Sequence, residues 1–172
     1  MSLLAKLFAR REDDCAVVRP LWHRVVAISR EPQWYAKARV ADTVPGRFDT
    51  ITLVLSLVLL RMERDPELIE PSVRLTELFV DDMDGQLRES GVGDVVVGKH
   101  VGKLMGALGG RLGTYREALA SANDDELVEA VARNVSFVEG GEPAMVAAEM
   151  RLIAATLAAI GHEALLAGEI VR

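Results

Sequence analysis

Aromatic side chains are scarce in this chain, at 5% of 172 residues. The core must therefore be filled by aliphatic groups, and Leu, Val and Ala are abundant enough to do it, which suits closely packed helices. Cysteine is limited to Cys15. One thiol closes no internal disulfide, which points to a reducing compartment. Its neighbours Asp13 and Asp14 disfavour a thiolate, so a nucleophilic role is not expected. Positive charge is in deficit, with 20 Lys and Arg against 26 Asp and Glu and a net charge of −6. That balance argues against DNA as a partner and against any bulk electrostatic grip on nucleic acid. No apolar run is long enough to cross a bilayer, which takes about 20 residues. The longest such stretch, ITLVLSLVLL at 51–60, is closely bounded by Asp49 and Arg61.

Catalytic patterns are missing too. His23, His100 and His162 have no zinc-type spacing with one another or with Cys15. The glycines match neither a phosphate loop nor a dinucleotide fingerprint, and Ser90 is in no nucleophile elbow. No catalytic residue, metal or cofactor is assigned on these grounds.

Half of the residues are hydrophobic and 27% are charged, the balance of a globular protein. The length fits one domain. We expect an all-α, single-domain bundle of about six to eight helices, with an amphipathic segment at 1–15 and the helical domain at 16–172. In the segment MSLLAKLFARR, Leu3, Leu4, Leu7 and Phe8 share one face, and Lys6, Arg10 and Arg11 surround it. It is too short in its apolar part for a secretory signal. Two readings stand: membrane-surface contact through residues 2–11, or a short helix docked on the domain, which is favoured.

Helical spacing continues along the chain. Pro20 suits the first turn of a helix to about Ser29, and Gln33–Val40 forms a short helix with Trp34 and Tyr35. Residues 41–46 read as a turn-rich connection, and 51–60 as a helix buried on most sides, continuing to Arg64. A helix over Pro66–Glu89 then stops at Gly91, and Asp94 caps the next. In that helix Gly106, Gly109, Gly110 and Gly113 signal close packing or a kink near Gly109-Gly110. Helices over Asp124–Phe137 and from Pro143 follow, with a break at Gly161.

The densest functional signal is DDMDGQLRESGVGD at 81–94, which crowds Asp81, Asp82, Asp84, Arg88, Glu89 and Asp94 together. As a calcium loop it fails, because setting Gly85 at the sixth position puts Gly91 where the last carboxylate belongs. Asp81 and Asp84 are neighbours on a helix, so a carboxylate–metal enzyme using Asp81, Asp82 and Asp84 stays as an alternative. A basic stripe follows: Lys99 and Lys103 four apart, then Arg111 and Arg116, with no Asp or Glu from 95 to 116. It reads as a solvated face, or as a docking site for an acidic protein segment or RNA.

Three stretches resemble the ubiquinol–cytochrome c chaperone family: DTVPGRFD (42–49), DMDGQLRESGVGDVVVGKHVGKL (82–104) and GRLGTYREAL (110–119). They come in the family's order, and the resemblance spans about residues 20–138. In the first, Asp42, Gly46, Arg47, Phe48 and Asp49 match. In the second, Asp82, Asp84, Leu87, Arg88, Glu89, Gly91, Gly93, Asp94, Gly98 and Lys99 match, and in the third Arg111 and Tyr115. One departure is Val54, where the family commonly has a histidine.

The resemblance implies a helical, non-enzymatic assembly factor that binds cytochrome b, or another component of the bc1 complex, during its biogenesis. Mitochondrial members work with a small partner protein near the ribosome. This chain looks like a short bacterial member, for which ribosome contact is not implied. It would work in the cytoplasm, at the inner face of the membrane. A helical adaptor for a soluble partner is the alternative. The expected partner-binding or bracing residues are Asp42, Arg47, Phe48, Asp49, Asp82, Asp84, Arg88, Glu89, Asp94, Lys99, Lys103, Arg111 and Tyr115. Arg47 and Arg88 are expected to pair with Asp49, Asp82, Asp84 or Glu89, fixing 42–47 against the helix end at 84–90.

Overall fold

The computed structural model describes residues 15–89 and 94–171, with the side chains of 87–89 and 94–100 outside the description. The amphipathic segment 1–14 and the turn at 90–93, with Gly91 and Gly93, therefore lie outside the described residues. Seven α-helices are described: α1 (Arg19–Ser29), α2 (Val44–Met62), α3 (Ile69–Glu89), α4 (Asp94–Ala120), α5 (Asp124–Asn134), α6 (Pro143–Ala159) and α7 (His162–Leu166). A π-helical turn (Gln33–Lys37) and a 3-10 turn (Pro66–Leu68) complete them. The only β pairing described is a single antiparallel bridge, Val40 to Phe137. The protein is an all-α, single-domain bundle, with one core cluster reaching from Val18 to Ile170.

Helix α2 is the axis. Every residue from Asp49 to Leu59 is buried, and the helix packs against α1, α4 and α6. Its polar interior residues bond back to the helix itself: Thr50 Oγ1 donates to the Gly46 carbonyl at 2.9 Å, Thr52 to that of Phe48 at 2.8 Å, and Ser56 to that of Thr52 at 2.7 Å. Their hydroxyls thus enter the core without an orphaned donor. Around α2, α3 lies on α1 and α4, and α5 on α4 and α6.

The expected helix starts and stops hold in most places, and three differ. Residues 41–46 are not all a turn, because α2 begins at Val44. Thr43 caps it, accepting the Gly46 amide at 3.3 Å, and Pro45 falls in the first turn, where no amide is needed. The helix expected to Phe137 ends at Asn134. There the chain turns extended to pair with 39–41, with the Ala41 amide donating to the Ser136 carbonyl and that of Val138 to the Arg39 carbonyl. Third, α4 runs unbroken through Gly109-Gly110. A Cβ at Gly102, Gly106, Gly109, Gly110 or Gly113 would meet nothing within 4 Å. Those glycines lie on open faces, so they seat no neighbouring helix, and the helix continues through them.

Arginines close several helix ends. Trailing carbonyls have no partner inside a helix, and here distant guanidiniums supply one. Arg61 on α2 donates to the Leu157 and Ile160 carbonyls at 2.9 and 3.1 Å, the end of α6. Arg151 on α6 reaches the Leu119 and Ser121 carbonyls at the end of α4, and pairs with Asp124 at 2.5 Å. Arg24 holds the Ile170 carbonyl near the C-terminus. The Arg61 and Arg151 clasps also put positive charge at a negative dipole end, while Arg24 ties down the chain past the last helix.

The glycines divide by their surroundings, and one substitution separates them. A Cβ at Gly46 would lie 1.9 Å from the Ala41 carbonyl oxygen. Gly46→Ala is expected to cost at least about 2 kcal/mol. Gly109→Ala is expected to add about 0.5–1 kcal/mol, through lower unfolded-state entropy and better helix propensity. Urea denaturation of the two variants should give opposite signs, and equal effects would contradict the packing at Gly46.

Candidate functional site

The first and third motifs meet inside the protein, at Asp49. This residue lies on the second turn of α2 and is 6% exposed. A carboxylate there needs partners to balance its desolvation, and three donors converge on it. Arg111 Nη2, from α4, is 2.5 Å from Asp49 Oδ1. The Ser136 amide and hydroxyl donate to Oδ2 at 2.9 and 2.7 Å. The same Arg111 Nη2 also donates to the Asn134 carbonyl at the end of α5, at 3.0 Å. One ion pair thus binds α2, α4 and the segment after α5.

Aromatic groups enclose this pair. The Arg111 guanidinium lies over the Phe48 ring, 5.3 Å from its centroid, a cation–π arrangement that shields part of the charge from water. Phe48 tilts against Phe79, which meets Trp22 edge-on. Tyr115, one turn beyond Arg111, is fully buried, and burial pushes its phenol well above the usual tyrosine range. Its hydroxyl has no hydrogen-bond partner among the described residues.

Other expected residues lie elsewhere. Arg47 pairs with Asp42, at 2.6 Å and in solvent, rather than with Asp49, Asp82 or Asp84. The reason is local: the two side chains meet across the helix cap, while Asp49 turns inward. The hydrogen bond from Arg47 lowers the Asp42 carboxyl pKa and raises that of Arg47. Both border a cavity of about 380 Å³ beside Tyr35, whose phenol is raised by burial. Asp82 is exposed and faces Gln86, and Asp84 is half-buried on α3. Lys103 is exposed on α4. The side chains of Arg88, Glu89, Asp94 and Lys99 lie outside the described residues. The basic stripe is split, with Arg111 drawn into the interior and Arg116 exposed against Glu63 at 2.8 Å.

Asp81, Asp82 and Asp84 join no metal-type cluster among the described residues. The grouping that does form is Asp65, Glu67 and His162. Its imidazole presents Nε2 to Asp65 and Nδ1 to Glu67, so one ring ties the 3-10 turn to α7. Opposite ring edges serve the two carboxylates, which is the geometry of a brace. Spacing could not reveal it, since His162 is 95 residues from Glu67. Ser136 and Asn134 were also missed as partners. Their one signal is position: short polar residues just past an amphipathic helix are where an amide and a carbonyl come free.

With the hub in place, the family pattern can be compared. The sequence pattern of the ubiquinol–cytochrome C chaperone family matches residues 36–172. The chain belongs to that family. The match extends past the motifs to the C-terminal helices, so α6 and α7 are part of what the family shares. The fold agrees: the crystal structure of the Cbp3 homolog from Brucella abortus superposes with a TM-score of 0.80 at 32% identity, covering 98% of this chain and 95% of that one. No curated protein gives a significant match. Within this chaperone family's pattern, Asp49 and Arg111 are interior residues, and Asp42 and Arg47 lie at the surface.

Two outcomes follow from the hub. Arg111→Ala strands a buried carboxylate and is expected to cost about 3–5 kcal/mol, with Asp49→Ala/Arg111→Ala costing well under the sum of the single changes. Urea denaturation of the four-member cycle checks this, and strict additivity would mean the pair is not coupled. Tyr115 bears on alkaline stability. Unfolded, its phenol loses its proton near 10.0, while the folded chain keeps it. Its contribution is thus whole below about pH 10 and declines as pH rises further. Tyr115→Phe is expected to flatten that decline, leaving a smaller one from Tyr35, and to gain about 1 kcal/mol at pH 7 by removing an unpaired buried hydroxyl.

Proposed function

We propose that this chain is an assembly factor for the ubiquinol–cytochrome c reductase (bc1) complex, binding cytochrome b or another newly made component rather than catalysing a reaction. The observation that carries this reading is the family match over residues 36–172, and the fold shared with the Cbp3 homolog supports it. The hub's own chemistry is consistent with it. Asp49 and Arg111 neutralise each other in the interior and have little access to a substrate. They act as a frame that sets the relative placement of α2, α4 and the 134–138 segment.

On this reading the client meets the outer faces that the frame holds. Among the described residues, the Asp42–Arg47 pair, Asp82 and Lys103 are matched or nearby polar groups that reach solvent. The client is a component of a membrane complex, and no helix among the described residues is long and apolar enough to cross a membrane. We place the protein at the inner face of the bacterial membrane.

Deleting the protein should lower the level of assembled bc1 complex and spare the other respiratory complexes, as seen by native gel electrophoresis and haem spectra of membranes. An unchanged bc1 level would overturn the proposal. Tagged protein purified from membranes should carry cytochrome b with it.

A further inference from the structure

A trough of about 500 Å³ opens between α2, α4 and α6, and of the three motifs only the third reaches it, through Arg116 and Leu119. Its accessible aliphatic surface comes from Leu60, Leu119, Ala154 and Ala158, with Leu57 and Leu157 buried beneath them. Its rim is cationic. Arg61, Arg64, Arg116 and Arg151 all border it, against one lining carboxylate, Glu63. That concentration stands out in a chain whose net charge is −6.

The four guanidiniums are not equivalent. Arg61 and Arg151 are committed to the carbonyl clasps at the ends of α6 and α4. Arg116 grips Glu63 in a solvent-exposed fork through Nε and Nη2, so an incoming carboxylate must share or displace Glu63 there. Arg64 is exposed, and its guanidinium has no partner among the described residues. One open guanidinium and one exchangeable fork thus stand beside the aliphatic surface. A carboxylate is the group that fits such a fork.

We propose that this trough docks an acidic segment of a partner polypeptide, with an aliphatic side chain seated against Leu60, Leu119 and Ala154 and neighbouring carboxylates on Arg64 and Arg116. Charge complementarity selects the sign. The concave shape selects a peptide over a membrane surface, because planar headgroups reach a rim but not the floor of a trough. An amphipathic acidic helix laid in a groove between helices meets both requirements. The inference goes beyond bc1 assembly and stands or falls separately from it.

The test uses the purified full chain and a short fluorescein-labelled peptide of Leu and Glu in helical heptad spacing, read by fluorescence anisotropy. Counterparts with Gln for Glu and with Ser for Leu are each expected to bind at least roughly tenfold more weakly. Arg64→Ala/Arg116→Ala should weaken the Leu/Glu peptide by a similar factor with an unchanged melting temperature, since both side chains are exposed. Lys37→Ala/Arg133→Ala removes the same charge away from the trough and should leave binding as it was. Equal binding of the Gln peptide, unchanged binding by the Arg64/Arg116 variant, or an equal loss in the Lys37/Arg133 variant would each overturn the proposal. So would Arg64- and Arg116-dependent binding to phosphatidylglycerol vesicles without binding to the peptide, which would assign the trough to lipid.

Discussion

A single buried ion pair carries the geometry of this protein. Asp49 and Arg111 come from two long helices, and neither is stable alone in the interior, because an uncompensated charge there costs several kcal/mol. Their union is also directional. Asp49 spends its second oxygen on Ser136, and Arg111 spends a second proton on Asn134. The pair therefore fixes where α5 must end and where the extended 135–138 segment must pass. The bridge to Val40 and the narrow approach at Gly46 follow from that placement. A hydrophobic pair of the same volume in that position would not dictate direction in this way.

Much of the fold was legible because its signals are local. Helical spacing, Pro20 in a first turn, Pro143 at a helix start, and the apolar run at 51–60 report on a few neighbouring residues, and the helices stand close to where those residues put them. The helix stop at Asn134 was misjudged for a non-local reason. Leu127, Val131 and Val135 keep a helical rhythm, yet the amide of Ser136 is claimed by Asp49, 87 residues away. The glycines of α4 misled in the opposite way. Their density resembled a packing device, but only neighbouring helices could have shown that nothing approaches them.

The candidate site divided along the same line. The motif residues were gathered as a set, and their partners were assigned by proximity in sequence and in charge. Arg47 took the nearest carboxylate across its cap, Asp42, and left Asp49 to an arginine in another motif. The Asp65, Glu67 and His162 brace and the arginine trough were invisible because each joins elements far apart in the chain. A motif shows which residues are kept together, and the interior decides which of them touch.

The arginine clasps have a consequence for how such a chain can change. Arg61, Arg151 and Arg24 bind main-chain carbonyls, and a carbonyl is present whatever side chain accompanies it. Positions 157, 160, 119, 121 and 170 are free of any demand from these arginines, beyond keeping the backbone path. Substitution there leaves no compensating trace at 61, 151 or 24. Asp49 and Arg111 are the contrary case, since each requires the other's charge. Correlated change across homologous sequences would then reveal the hub and stay silent about the clasps, although both hold helices together. Contacts inferred from paired substitutions would undercount the attachments of α6 and of the C-terminal end.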